Sequence, residues 1–147
     1  MFQHLLVPTD GSEIAAKAVA GAVRFAATNG ARITFFYAQP DFPMPIYGEG
    51  ALIDPTTPEQ FAESAAAEAR KILDAALAQA HAAGVSASSE TEVNDSPHAA
   101  IVAASQRQGC DLIFMASHGR SGLASLLLGS EAKKVLGNST LPVLIYR

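Results

Sequence analysis

Short runs of apolar and β-branched residues alternate with longer alanine-rich stretches along the whole chain of 147 residues. The short runs are typical of buried strands, and the alanine-rich stretches are typical of helices. Strands that alternate with helices are joined by crossover connections, which produce a parallel sheet covered on both faces. The sequence therefore predicts an α/β fold: a single-domain, open, parallel five-stranded sheet with helices on both faces, spanning residues 1–147.

Five strands and four helices are predicted in strict alternation. The strands are expected at residues 4–8, 32–39, 86–93, 110–116 and 142–146. The helices are expected at residues 15–29, 59–83, 98–108 and 131–136. Five prolines and two glycines fall between residues 40 and 58, which predicts a flexible loop around 40–58 instead of regular structure.

Composition and charge exclude several classes of function. The formal net charge of −4 predicts no broad basic surface and therefore no nucleic-acid partner. Cys110 is the only cysteine, so neither an intrachain disulfide nor a thiolate metal cluster can form. The N-terminus lacks a cationic segment followed by a long apolar core, and no apolar run is long enough to cross a bilayer. These features predict a cytoplasmic protein without a membrane partner.

Small or polar residues end or follow four of the predicted strands. They are Asp10, Ala38, Asn94 and the stretch 116–120. In open parallel sheets, ligands bind outside the carboxyl ends of the strands, where the strand order reverses. We therefore expect these positions to share one cleft.

The stretch 110–130 has the order strand, glycine-containing loop and helix start. This order presents backbone N–H groups and the positive end of a helix dipole to a phosphate. Gly119, Gly122 and Gly129 would let the backbone turn and approach a ligand closely. Plainer interpretations remain open: Ser130 as a simple helix N-cap, and Asp10 with Glu13 as a capping box.

Four segments together resemble the universal stress protein family: VPTDGS at 7–12, DLIFMASHG at 111–119, LLLGS at 126–130 and PVLIYR at 142–147. The resemblance covers the whole chain in order and length, and it implies a Rossmann-like, adenine-nucleotide-binding fold. Nucleotide-binding members of the family carry Gly-x-x-Gly, nine residues, and then Gly-Ser or Gly-Thr. That pattern falls on Ala116, Gly119, Gly129 and Ser130, so alanine replaces the first glycine in this chain.

The resemblance implies that ATP, with AMP or ADP as alternatives, binds in the cleft and carries Mg²⁺ on its phosphates. The implied binding residues are Pro8, Thr9, Asp10, Ala38, Met115, Ala116, His118, Gly119, Arg120, Gly129, Ser130, Glu131 and Ala132. No direct protein ligand to a metal is expected. Glu131 departs from the apolar residue common in the family. Its carboxylate would repel a triphosphate unless Mg²⁺ lies between them or the side chain points away.

No Ser-His-Asp or paired-carboxylate arrangement can be assembled from the sequence, so no catalytic residue is predicted and hydrolysis would be very slow at most. The apolar segment 141–146 is expected to be the last strand, and the resemblance implies a homodimer formed through it. No protein partner can be named. Two functions remain open: an ATP-binding stress-response regulatory protein, and a nucleotide-independent dimeric interaction or signalling module.

Overall fold

The computed structural model describes residues 1–42, 57–119 and 127–147. Most of the predicted loop at 40–58 lies outside the described residues, as do Arg120 and Gly122.

Five strands and four helices alternate in the predicted order. The strands are β1 His4–Pro8, β2 Arg32–Gln39, β3 Ala87–Val93, β4 Leu112–Ala116 and β5 Val143–Tyr146. The helices are α1 Glu13–Asn29, α2 Pro58–Ala82, α3 Pro97–Arg107 and α4 Ser130–Asn138. The predicted bounds of β1 and β2 are confirmed, and the other elements differ by one to a few residues at their ends.

Helix α1 begins earlier than predicted because its N-cap is Ser12. The Ser12 side chain accepts a hydrogen bond from the backbone N–H of Ala15 at 3.2 Å. Asp10 instead accepts from the backbone N–H of Ser12 at 2.9 Å and closes the turn before the helix. The predicted capping box of Asp10 and Glu13 is therefore wrong.

The sheet has the strand order β3-β2-β1-β4-β5, and all four pairings are parallel. From β1 the chain first builds outward through β2 and β3, and then returns to the other side of β1 to add β4 and β5. The order therefore reverses between β1 and β4, which places the expected ligand crevice at the carboxyl ends of these two strands.

Alternate strand residues face two separate hydrophobic cores. Leu5 and Phe35 belong to the core under α1 and α2. Leu6 and Phe36, their sequence neighbours, belong to the core that includes residues of α3 and α4. Both sheet faces are therefore covered, and the predicted fold class is confirmed. Within the described parts of the chain, no helix combines the length and apolar character needed to span a membrane.

Candidate functional site

A cavity of about 570 Å³ opens at the carboxyl ends of the strands, where the strand order reverses. Residues from β1, β2 and β4 line it together with Ala15 of α1, residues of α3 and the first turn of α4. All the predicted site residues that the structure describes line this cavity: Pro8, Thr9, Asp10, Ala38, Met115, Ala116, His118, Gly119, Gly129, Ser130, Glu131 and Ala132. The remaining predicted site residue, Arg120, lies outside the described residues.

The segment after β1 forms one wall of the cavity and is held by backbone hydrogen bonds. The backbone N–H of Thr9 donates to the carbonyl of Phe36 at 2.9 Å, which continues the β1–β2 ladder. The Thr9 hydroxyl accepts from the backbone N–H of Gly11 at 3.3 Å. Gly11 has a φ of 77°, which favours glycine and turns the chain into α1. Thr9 and Asp10 are thereby fixed at the crevice.

Ala116, the alanine in place of the motif's first glycine, fits the fold without backbone strain. It is the last residue of β4, is buried, and pairs with Tyr146 of β5. A β-strand conformation accommodates alanine, and the only positive-φ residues in the described parts of the chain are glycines elsewhere. The substitution therefore adds one methyl group to the cavity wall and leaves the backbone conformation unchanged.

Glycine at 129 allows two backbones to approach each other closely. Its N–H donates to the carbonyl of Ser117 at 2.8 Å. A Cβ at this position would lie 3.0 Å from that carbonyl oxygen and 3.3 Å from the Cα of His118. With a φ of −62°, Gly129 does not make the left-handed turn that a glycine loop suggests. Its role is to hold the start of α4 against the end of β4.

Gly119 allows a second close approach within the cavity. A Cβ there would lie 2.8 Å from Asp10 Oδ2. The segments after β1 and β4 are therefore in contact, and the absence of a side chain at 119 leaves room for the Asp10 carboxylate between them. His118 is half-buried beside this contact, and its Nδ1 lies 2.9 Å from the hydroxyl of Ser117.

The first turn of α4 presents its backbone to the cavity. The N-cap is Gly129, which makes no side-chain capping bond, so the interpretation of Ser130 as N-cap is wrong. The first N–H groups of any helix lack intrahelical acceptors. Because Ser130, Glu131 and Ala132 all line the cavity, these N–H groups and the positive end of the helix dipole lie at its wall. Such an arrangement favours an anion.

The Glu131 side chain is fixed by α3. Its Oε2 accepts from the backbone N–H of His98 at 2.9 Å and lies 3.2 Å from His98 Nδ1. Its Oε1 lies 3.4 Å from Lys134 Nζ. The carboxylate therefore joins the first turns of α3 and α4 at the cavity wall.

Part of the apolar lining and the contribution of α3 were not predicted from the sequence. The additional lining residues are Ala15, Phe36, Tyr37, Pro97, Ile101, Leu127, Leu128 and Lys133. Asn94, expected at the cleft, does not line the cavity; it accepts from the backbone N–H of Ser96 at 2.8 Å within the β3–α3 turn. The sequence does contain a feature that could have indicated the contribution of α3, because Pro97 marks a helix start at the carboxyl edge of β3.

No cluster of three or more His, Cys, Asp or Glu side chains suited to a metal occurs among residues 1–42, 57–119 and 127–147. Asp10 and Glu131 are the carboxylates in the described lining, and one oxygen of each accepts a backbone N–H. A hard cation such as Mg²⁺ takes several oxygen ligands, so a nucleotide's phosphates would have to supply most of them.

The fold and cavity define a class: an open parallel α/β domain with a ligand-sized crevice at its topological switch point. The sequence model of the "Universal stress protein family" matches residues 1–147, and the chain belongs to that family.

Three relatives show the extent of the likeness. The universal stress protein YxiE of Bacillus subtilis is 32% identical over 158 aligned residues, covering 100% of both chains. A solved family member from Burkholderia pseudomallei is 27% identical, with a TM-score of 0.77 over 99% of this chain and 96% of its own. A universal stress protein solved in complex with cAMP is 28% identical, with a TM-score of 0.71 over 99% of this chain and 97% of its own.

Proposed function

We propose that this chain is a regulatory protein that binds an adenine nucleotide in the switch-point cavity. The observation that carries the proposal is the composition of that cavity, whose lining combines apolar and small residues with the uncapped first turn of α4. Ligand sites commonly combine apolar walls with a few fixed polar groups in this way. The relative solved with cAMP, whose chain is covered almost completely, supports the same ligand class.

Each part of the nucleotide has suitable partners in the described lining. The apolar side chains of Phe36, Ile101 and Met115 offer a surface for the base. The Asp10 carboxylate, next to Gly119, offers an acceptor for a ribose hydroxyl. The N–H groups at the start of α4 offer donors for phosphate oxygens. The ligand class is adenine nucleotides as a group, ATP included.

We propose further that the nucleotide acts as a regulatory ligand in a stress response and is not turned over rapidly. Two cavity groups with the chemistry of a base already have local contacts. One oxygen of Asp10 accepts from the backbone N–H of Ser12, and His118 Nδ1 lies within hydrogen-bond distance of Ser117. Efficient hydrolysis would require a base held toward a water beside the phosphate, whereas both of these groups contact neighbouring residues of the protein.

Substitution of Ser130 by aspartate tests the proposal without disturbing the fold. Ser130 is exposed at the first position of α4, where a carboxylate is favourable to the helix. The same carboxylate would repel a phosphate at that helix end. We expect Ser130→Asp to weaken AMP binding at least about tenfold, which is ~1.4 kcal/mol, in titration calorimetry.

Thr57→Asp is the matched control, because it adds one carboxylate at the N-cap of α2, which does not line the cavity. It should leave AMP affinity unchanged. If neither AMP, cAMP nor ATP binds the wild-type protein at millimolar concentration, the proposal is wrong and the nucleotide-independent interaction module is favoured.

A further inference from the structure

A carboxylate is built into the wall of the cavity where the phosphates of a nucleotide would lie. Glu131 is in the first turn of α4 and lines the cavity with its neighbours Ser130 and Ala132. Free rotation would let this side chain swing into solvent. The hydrogen bond from the backbone N–H of His98, and the contact of the same oxygen with His98 Nδ1, hold it toward α3 instead. These contacts with α3 therefore fix the position of the Glu131 carboxylate.

The negative charge of this carboxylate acts on a ligand in the cavity. The Glu131 side chain is 39% exposed, and one of its oxygens accepts a hydrogen bond from the backbone N–H of His98. Lys134, its ion-pair partner at 3.4 Å, is 52% exposed. A pair that is exposed to this degree interacts weakly. Because Glu131 lines the cavity and Lys134 does not, the lysine offsets only part of the carboxylate charge there.

The other ionisable side chains in the described lining do not offset Glu131. They are Asp10, His118 and Lys133. With histidine neutral, the described lining contains two carboxylates and one ammonium group. The N–H groups of α4 attract a first phosphate at short range, but each further phosphate adds negative charge. Repulsion from a fixed carboxylate grows in proportion to that charge.

We propose that Glu131, positioned by His98, makes this cavity select adenine nucleotides with a single phosphate over the free triphosphate. The inference rests on the proposed function, because it concerns the same cavity. It names the ligand class more narrowly: AMP or a cyclic monophosphate is the preferred ligand when no divalent cation neutralises the phosphates. Glu131 is then a specificity-determining residue.

Glu131→Gln is the direct test, because the amide oxygen of glutamine can still accept from the His98 N–H while the charge is removed. Titration calorimetry would compare AMP with ATP in the presence of EDTA. We expect the wild-type protein to bind AMP on the order of tenfold more tightly than ATP. In Glu131→Gln, ATP affinity should rise about tenfold and AMP affinity less than about threefold, which nearly closes the gap.

Glu59→Gln is the matched control, since Glu59 is the acidic residue in the first turn of α2 and does not line the cavity. It should leave the AMP-to-ATP ratio unchanged. The wild-type protein provides a test that does not depend on any variant. Because the repulsion is electrostatic, the ratio should shrink as the salt concentration is raised from about 0.05 to 0.5 M.

The outcomes separate this inference from the proposed function. If the wild-type protein binds neither AMP nor ATP, the proposed function fails and the inference fails with it. If both bind but free ATP binds as tightly as AMP, only the inference is overturned. It is also overturned if Glu131→Gln, folded as judged by circular dichroism, leaves the ratio unchanged.

Discussion

At the scale of single residues, Ser117 connects the sheet to the cavity. Its N–H donates to the carbonyl of Tyr146 in β5 at 3.2 Å, and its carbonyl accepts from Gly129 at the start of α4. Its hydroxyl lies 2.9 Å from His118 Nδ1. The residue is 3% exposed, so all three contacts are shielded from water. The backbone and hydroxyl of this one residue therefore connect the last strand, the start of α4 and a cavity-lining histidine.

His4 lies at the opposite end of the sheet and predicts a specific pH dependence of stability. It is 7% exposed, and its Nε2 lies 2.8 Å from the hydroxyl of Thr34. Burial lowers the pKa of His4 below its ordinary value, and the positive charge of Arg32 lowers it further, while Asp111 opposes the shift. The unfolded chain therefore binds a proton on this residue more readily than the folded protein does.

We accordingly expect the free energy of unfolding to fall as the pH drops below the unfolded value of about 6.5, by up to ~1.4 kcal/mol for each unit of pKa difference. His4→Gln, which keeps a polar group beside Thr34, should flatten this acid-side slope between about pH 7.5 and pH 5. Urea unfolding at several pH values measures this pH dependence of the free energy of unfolding. His81→Gln, on an exposed residue of α2, is the control. An equal slope in wild type and His4→Gln would contradict the account.

At the scale of secondary-structure elements, the sequence predicts strand positions better than helix ends. The bounds of β1 and β2 are confirmed because both are mostly buried apolar runs whose limits coincide with a change of residue type. Helix ends depend on which of several candidate side chains makes the capping bond. At α1 both Asp10 and Ser12 are N-cap residue types, and only the folded geometry selects Ser12.

Helix α4 shows the same limitation at both ends. The sequence predicts it at residues 131–136 and treats Gly137 as a stop. The structure begins the helix at Ser130 and continues it through Asn138, whose side chain donates to the carbonyl of Lys134 at 2.7 Å. The glycine neither breaks the helix nor adopts a positive φ. The helix therefore continues through a residue of low helix propensity.

The sequence identifies the site residues that lie in recognisable motifs. It does not identify the site residues that have the composition and spacing of core residues. Thr9, Gly119 and Gly129 follow strands in recognisable motifs, so the sequence places them at the crevice. Phe36 and Ile101 are apolar residues at regular core spacing, and only the packing of α3 against the sheet makes them line a cavity. The hydrogen bond between His98 and Glu131 joins residues 33 positions apart, so no local sequence pattern predicts it.

At the scale of the whole molecule, β5 is one edge of the sheet. The carbonyls of Pro142 and Tyr146 accept hydrogen bonds from β4, at Ile113 and Ser117 respectively. Backbone groups alternate direction along a strand, so those of Val143 and Ile145 point away from β4. An edge of this kind is a template for pairing with another copy of the chain, and a two-fold axis would pair β5 with itself.

We predict a homodimer formed through β5, and two proline variants test it. Ile145→Pro removes an outward-facing N–H and spares the β4 ladder, so it should give a folded monomer. Leu144→Pro removes a group that faces β4, so it should destabilise the fold instead. Light scattering coupled to size-exclusion chromatography gives the mass of each variant. A monomeric wild-type protein at micromolar concentration would contradict the dimer.

The most direct test of the central claim is to map where an adenine nucleotide binds. Titration of ¹⁵N-labelled protein with AMP, followed by two-dimensional NMR, reports on every backbone amide. We predict shift changes concentrated at the cavity, above all at Thr9, Gly119, Gly129 and Ala132, with little change along the outer face of β3. The account is contradicted if no amide shifts at millimolar AMP, or if the shifts centre on β3 around Ser89 and Thr91.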